Sequence, residues 1–292
     1  MKAAKFEYCA PSSLEEALEV LAADPEETSL LAGGQSLVPM LNMRLARPAV
    51  LVDLNRIPEL CGVERNDGTV RIGAMTRQHA VEVDGRAGAV PLLVEAIRHI
   101  AHLPIRTRGT VGGSIAHADP HAELPATVGV LDARLLLRSR ARVRSVVAEE
   151  FFVGPLMTLR EPDEILEAVE IPVPSSRSGW AFREVARTHG AFALVGVATV
   201  VTLGGDGGVE QIRLGVFGVG GLPYLPDWVG ELANGAQPTE ALFLEIGVRV
   251  GQGLDSRSHS AQNDVYRSEV AATLTERTLR EATRRALEAA EA

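Results

Sequence analysis

The sequence predicts an α+β protein built in more than one lobe, and three observations carry that expectation. Short apolar runs of strand character alternate with stretches of helical spacing, two glycine turns of the same form stand far apart, and a proline- and serine-rich segment at 172–176 divides the chain. At 292 residues the chain can bury a full core and divide into two or more units.

The first element follows from its cap. Ser12 and Ser13 each stand three residues before a glutamate, Glu15 or Glu16, and Leu14, Ala17, Leu18 and Leu21 then keep helical spacing. Residues 28–32 read as a short buried strand, 37–45 as a helix stopped by Pro48, and 49–54 as the next strand, which completes a small α/β lobe. A second lobe opens with a strand at 69–75, runs through a helix at 92–101, and carries strands at 133–137 and 165–171. The main boundary falls near residue 175, giving lobes of about 1–56 and 57–175 and a C-terminal unit of 176–292. That last unit has strands at 181–186, 194–203 and 209–219 and helices at 239–250 and 266–291, with no internal repeat.

The two turns are the most informative feature. Ala32, Gly33, Gly34, Gln35 and Ser36 form one, and Thr110, Val111, Gly112, Gly113 and Ser114 the other; each closes an apolar strand-like run and has Gly-Gly followed within two residues by Ser. Glycine accepts positive φ and lets backbone N–H groups come close to phosphate oxygens, while a helix N-terminus or a hydroxyl adds donors. A pair of such turns in different lobes points to a dinucleotide held from two sides.

Composition narrows the partners. A net charge of −9 argues against a nucleic-acid backbone. The basic run Arg138 to Arg144 alternates like a strand, and reads as a solvated outer face or as a dock for an acidic subunit. Cys9 and Cys61 are the only cysteines, so this chain alone cannot ligate an iron–sulfur cluster, which normally takes four thiolates, and a reducing cytoplasm is the expected compartment. No signal-like or membrane-spanning apolar stretch is present, so membrane insertion is not expected.

Other motifs carry less. Asp53 ends a strand about twenty residues after Gly33, as a ribose-binding acid would in a dinucleotide fold, but the full glycine fingerprint is missing. His117, Asp119, His121 and Glu123 alternate like metal ligands on one strand face, yet Pro120 interrupts that geometry and a polar loop is the plainer reading. Gly215, Gly218, Gly220 and Gly221 read as a tight turn between packed elements rather than a third phosphate cradle, and His99 and His102 as residues at a helix end. No catalytic nucleophile arrangement is visible and no metal site is assigned, so any reactivity would come from a cofactor.

With those residues in hand, the chain resembles the FAD-binding medium subunits of the molybdenum hydroxylases, the xanthine dehydrogenase and carbon monoxide dehydrogenase group, over essentially its whole length. The resemblance rests on residues 30–37, 52–55 and 72–76, on 105–120, and on 123–125 and 164–166. It implies a two-lobed FAD-binding domain of the vanillyl-alcohol-oxidase (PCMH) type, followed by a C-terminal α+β domain of the carbon monoxide dehydrogenase flavoprotein type. By resemblance, Leu30, Leu31, Ala32, Gly33, Gly34, Gln35, Ser36 and Leu37 wrap the ADP and pyrophosphate half of FAD together with Thr110, Val111, Gly112, Gly113 and Ser114, and Ile100 lies near the cofactor. Glu123 stands where the family has an acid bonding the hydroxyl-bearing chain of the cofactor, and Leu166, Arg183 and Phe192 match the flavin end. Phe192 stands where relatives often have Tyr, Ala191 where an acid is common, and Ser114 where Asn is more frequent.

The resemblance further implies an electron-transfer subunit of an oxidoreductase. Its partners would be a large molybdopterin-molybdenum subunit and a small subunit with two [2Fe-2S] clusters, in a dimer of heterotrimers. A positive group such as Arg183 would stabilise reduced, anionic flavin. Two alternatives stay open: a self-contained FAD oxidase of the same fold, and an assembly module that has lost its cofactor.

Overall fold

The computed structural model describes residues 2–255 and 261–291. Among the described residues three sheets of three or more strands follow one another along the chain, and the site lies where the first two meet. β1 (Glu7–Cys9), β2 (Thr28–Leu31) and β3 (Val50–Asp53) form a parallel sheet in the order β1-β3-β2, crossed by helices α1 (Leu14–Ala23) and α2 (Leu37–Met43). The expected capping box closes across both serines. Ser13 Oγ accepts from the Glu16 N–H at 3.2 Å, and the Glu16 carboxylate accepts from the Ser12 N–H at 2.9 Å. Leu14, Ala17, Leu18 and Leu21 then pack on Val52, Leu54, Ile57 and Leu60, with Met75 and Ile165 reaching in from the second sheet.

That second sheet is antiparallel, in the order β4-β5-β10-β6-β7, from β4 (Val63–Asn66), β5 (Thr69–Gly73), β6 (Arg134–Arg138), β7 (Val143–Val147) and β10 (Ile165–Pro172). Between β5 and β6 run α3 (Gln78–Val83), α4 (Pro91–His99), α5 (Leu103–Arg106), α6 (Val111–His117) and α7 (Glu123–Val130). A short helix α8 (Ala148–Phe151) and the small pair β8 (Phe152–Gly154) and β9 (Met157–Thr158) precede β10.

The basic run is not one strand. Its middle, 139–142, is a hairpin turn closed by the Ser139 N–H on the Arg142 carbonyl at 2.9 Å. Its arginines are also spent on the chain's own acids. Arg138 bonds Glu167 at 2.6 Å, Arg142 bonds Glu161 at 2.5 Å, and Arg144 forks onto the fully buried carboxylate of Glu164 at 2.6 and 2.7 Å. Burial pushes the Glu164 carboxyl up, but the Arg144 fork and the Glu161 N–H outweigh it and leave its pKa below the ordinary range.

The third sheet is a meander of β11 (Ser178–Ala186), β12 (Ala193–Leu203) and β13 (Val209–Phe217), followed by helices α9 (Trp228–Ala233), α10 (Glu240–Asp255) and α11 (Ala261–Glu291). Side-chain alternation gives it two buried faces. Ala181 and Val197 join the core under the C-terminal helices, whereas Phe182, Ala198 and Phe217 join the core of the second lobe. On the helix face, a Cβ at Gly179 would strike the Ala282 carbonyl and the Ala286 N–H, so only glycine admits α11 at this distance.

Candidate functional site

Both glycine turns open a helix, and they touch. The first runs from the end of β2 into α2, with Gly34 at φ +71°. The second does not close a strand, as its sequence suggests; α5 precedes it, and Val111, Gly112, Gly113 and Ser114 are the first turn of α6, with Thr110 as its N-cap. The contact leaves no space for side chains. A Cβ on Gly33 would fall on the Arg108 carbonyl and 2.8 Å from Gly109 Cα, and one on Gly113 would lie 2.6 Å from Thr110 Oγ1 and 3.2 Å from Ala32 Cβ.

Counting backbone donors separates the two turns. In the second, the four that follow Thr110 are spent. Val111 donates to Thr76 O at 3.0 Å, Gly112 to Ala74 O at 2.8 Å, Gly113 to Thr110 Oγ1 at 3.0 Å and Ser114 to Thr110 O at 3.2 Å. In the first, the N–H groups of Gly33, Gly34, Gln35, Ser36 and Leu37 meet no acceptor among the described residues, although Gly33 is buried and the other four are half-buried. The Ser36 hydroxyl makes no capping bond either. Five consecutive unspent donors on a left-handed turn form an anion-binding concavity. The donor set therefore fits a pyrophosphate, while the second turn is a buttress whose free polar groups include the Ser114 hydroxyl.

Leu30 and Leu31 lead into the first turn from β2 and are half-buried. Ile100 caps α4 and Leu166 lies on β10, both buried. Phe192, 64% exposed, sits in the loop between β11 and β12, and that loop packs on the first residues before α5: the rings of His102 and His189 stack with centroids 5.3 Å apart, and a Cβ at Gly190 would strike the His102 ring. Arg183 points the other way. Its guanidinium bonds Glu281 of α11 at 2.6 Å, on the helix face of the third sheet.

The neighbour that faces the second lobe is Glu184, which sequence reasoning missed. Its carboxylate stands 3.5 Å from His99 Nδ1, and its Oε2 is buried with no hydrogen-bond partner among the described residues. The Glu184 contact, ahead of Glu95, holds His99 above the ordinary histidine range despite burial. Glu123, the first residue of α7, is 5% exposed. Burial raises its pKa to about 8, Glu184 and Asp119 add to the rise, and its own N–H and His99 oppose it. At neutral pH it is a carboxylic acid, able to donate as well as accept.

The remaining motifs have local explanations. The His117 series does not converge: Asp119 Oδ1 accepts from the His121 N–H at 2.8 Å, His121 Nδ1 meets Ala193 O at 3.0 Å, and Glu123 turns into the core. Among the described residues no group of three or more such side chains could hold a metal ion. The polar loop expected there is present at 118–122, and Glu123 opens the buried helix α7. Asp53 is spent on the Tyr8 hydroxyl at 2.6 Å and the Asn55 N–H at 2.9 Å. Gly218 has φ +79°, and a Cβ at Gly215 would lie 2.7 Å from Val130.

Comparison with known proteins decides the family. The family model described as the FAD binding domain in molybdopterin dehydrogenase matches residues 4–174, and the CO dehydrogenase flavoprotein C-terminal domain matches 180–282. The chain belongs to the FAD-binding family of the molybdopterin dehydrogenases. It is 36% identical to caffeine dehydrogenase subunit beta of Pseudomonas sp. (strain CBB1), over 96% of this chain and 95% of that protein. Among solved structures it matches carbon monoxide dehydrogenase from Hydrogenophaga pseudoflava at TM-score 0.93 and 33% identity, covering 98% of this chain and 99% of that one. Quinoline 2-oxidoreductase from Pseudomonas putida 86 matches at TM-score 0.92 and 35% identity, covering 98% and 100%. The resemblance and the fold class read from the sequence are thus borne out: the chain is an oxidoreductase subunit with an FAD-binding domain and a flavoprotein C-terminal domain. Among the described residues no helix is long and apolar enough to cross a membrane.

Proposed function

We propose that the chain is the FAD-binding electron-transfer subunit of a heterotrimeric molybdenum hydroxylase. It would take electrons from the [2Fe-2S] clusters of a small subunit and pass them to an external acceptor while a large molybdopterin subunit hydroxylates the substrate. The observation that carries this reading is the row of five unspent N–H groups at residues 33–37, placed where the two lobes meet. Bound FAD supplies the ability to accept electrons singly and release two together. Residues 1–175 hold the cofactor and residues 176–292 cover its flavin end. The turn at 33–37 and the Ser36 and Ser114 hydroxyls bind the pyrophosphate half, Glu123 Oε bonds a cofactor hydroxyl, and Phe192 supplies an aromatic face.

Arg183 has a smaller part than its sequence position suggests, because Glu281 already neutralises it. Substrate choice is assigned to the large subunit. Similar chains serve proteins named for carbon monoxide, caffeine and quinoline, which supports a site that does not read the substrate. A cytoplasmic dimer of heterotrimers is the proposed assembly, in keeping with two unpaired cysteines.

The test is purification through a tag on this chain. Expected are co-purifying molybdopterin and iron–sulfur subunits, one FAD per chain released by acid, and flavin bleaching by substrate only in the complex. An isolated chain that oxidised an organic substrate at an ordinary enzymatic rate, on the order of 10 per second, would overturn the relay reading in favour of a self-contained oxidase.

A further inference from the structure

We propose that Asn55 and Arg77 are positioning residues that strap the two glycine turns together and aim the donors of the first, an inference that rests on FAD binding at this seam. Neither residue belongs to a turn. Asn55 follows β3, in a single helical turn at Leu54–Arg56. Arg77 follows β5, at the N-cap position of α3. Their side chains meet between the lobes. Arg77 Nη2 donates to Asn55 Oδ1 at 2.5 Å, and Arg77 Nη1 donates to the Arg108 carbonyl. Asn55 Nδ2 in turn donates to Ala32 O at 2.9 Å.

One line of hydrogen bonds therefore runs from the Ala32 carbonyl through the Asn55 amide and the Arg77 guanidinium to the Arg108 carbonyl. Its two ends are the carbonyl that enters the first turn and the carbonyl that a Gly33 side chain would strike. A planar guanidinium with a fixed fork suits this span, because separate N–H groups reach separate acceptors without bending. Backbone contacts reinforce the second end: Gln78 N–H donates to Gly109 O at 2.9 Å, and Val111 N–H to Thr76 O at 3.0 Å.

The link to the cofactor is one peptide plane. The Ala32 carbonyl and the Gly33 N–H belong to the same planar, trans peptide unit and point in opposite directions. Fixing the carbonyl on Asn55 therefore fixes the direction of the first of the five unspent donors. Asn55 is itself held, since Asp53 Oδ1 accepts from its N–H at 2.9 Å and from its Nδ2 at 2.5 Å, and Asp53 Oδ2 takes the Tyr8 hydroxyl at 2.6 Å. A donor aimed in advance costs less to order when the anion arrives.

Asn55→Asp breaks the strap at the Ala32 carbonyl and also sets a second carboxylate beside Asp53. An aspartate keeps the shape and pairs more strongly with Arg77, but offers no donor to the Ala32 carbonyl. Arg77→Gln breaks the strap at its other joint. The full chain is titrated with FAD and with ADP by fluorescence and calorimetry, alongside melting of the cofactor-free form. Expected for each variant is a rise of about tenfold or more in both dissociation constants. The double variant should lose little more than the worse single one, because both act through one line of bonds. For Asn55→Asp, the cofactor-free melting temperature should fall, because the new carboxylate faces Asp53 Oδ1 and the Ala32 carbonyl, so affinities are compared at a temperature where every variant is folded.

Parent-like FAD and ADP affinity in both folded variants would overturn the strap. So would a double variant whose loss is the product of the two single losses. A parent chain that itself fails to bind FAD would instead overturn the reading on which the strap rests.

Discussion

Gly33→Val is expected to abolish FAD retention. The new Cβ would meet backbone, the Arg108 carbonyl and Gly109 Cα, not a flexible side chain that can turn aside. The second turn is anchored by four spent N–H groups, so the seam has to open, and the donor row of the first turn loses its aim. The expected loss of FAD affinity is at least about 100-fold, with a lower melting temperature. Gly85→Ala is the control, because a Cβ there meets nothing within 4 Å. Both are read by flavin content after gel filtration and by titration of the cofactor-free chain; stoichiometric flavin retained by Gly33→Val would refute the contact.

Glu123→Gln is expected to stabilise the cofactor-free chain, and more so as pH rises. The folded carboxyl has a pKa of about 8 against an ordinary value of 4.5, so the folded state holds a proton that the unfolded chain has released through that window. Stability in the parent is undiminished below about pH 4.5, falls as pH rises towards 8, and is flat beyond. Glutamine keeps the shape and the donor of the neutral acid without the cost of ionisation. The gain should be near zero at pH 4.5 and reach up to about 4 kcal/mol at pH 8.5, since each tenfold change in proton affinity is worth about 1.4 kcal/mol. Parallel melting-temperature profiles of parent and variant from pH 5 to 8.5 would contradict the burial argument.

How much was legible depended on whether a local rule or a distant partner decided each feature. The α1 helix was readable because Ser13 and Glu16 carry the whole signal within four residues. The glycine turns were readable as special backbone, and the family through them. Their division of labour was not, because two of the four acceptors that spend the second turn's donors, Ala74 O and Thr76 O, come from a different part of the chain.

Arg183 shows a related limit. Alternation says that it and Glu184 face opposite ways, but not which face meets helix α11 and which meets His99. The run from Arg138 to Arg144 alternates throughout, so its hairpin turn at 139–142 was hidden, as were the carboxylates of Glu161, Glu164 and Glu167 that neutralise it. Helix α7 lacked the amphipathic pattern of a surface helix because all eight of its residues are buried. Strand β1 has three residues and is held by parallel pairing to Val50–Val52, which no local pattern announces.

Hydrogen exchange at single backbone amides, followed by NMR in the full chain with and without FAD, tests the central claim most directly. The amides of Val111, Gly112, Gly113 and Ser114 already have protein acceptors and should be protected in both states. Those of Gly33, Gly34, Gln35, Ser36 and Leu37 should exchange fast without cofactor and become protected when FAD binds. Protection of residues 33–37 before FAD is added, or fast exchange there with FAD bound, would contradict the assignment of this turn as the pyrophosphate cradle.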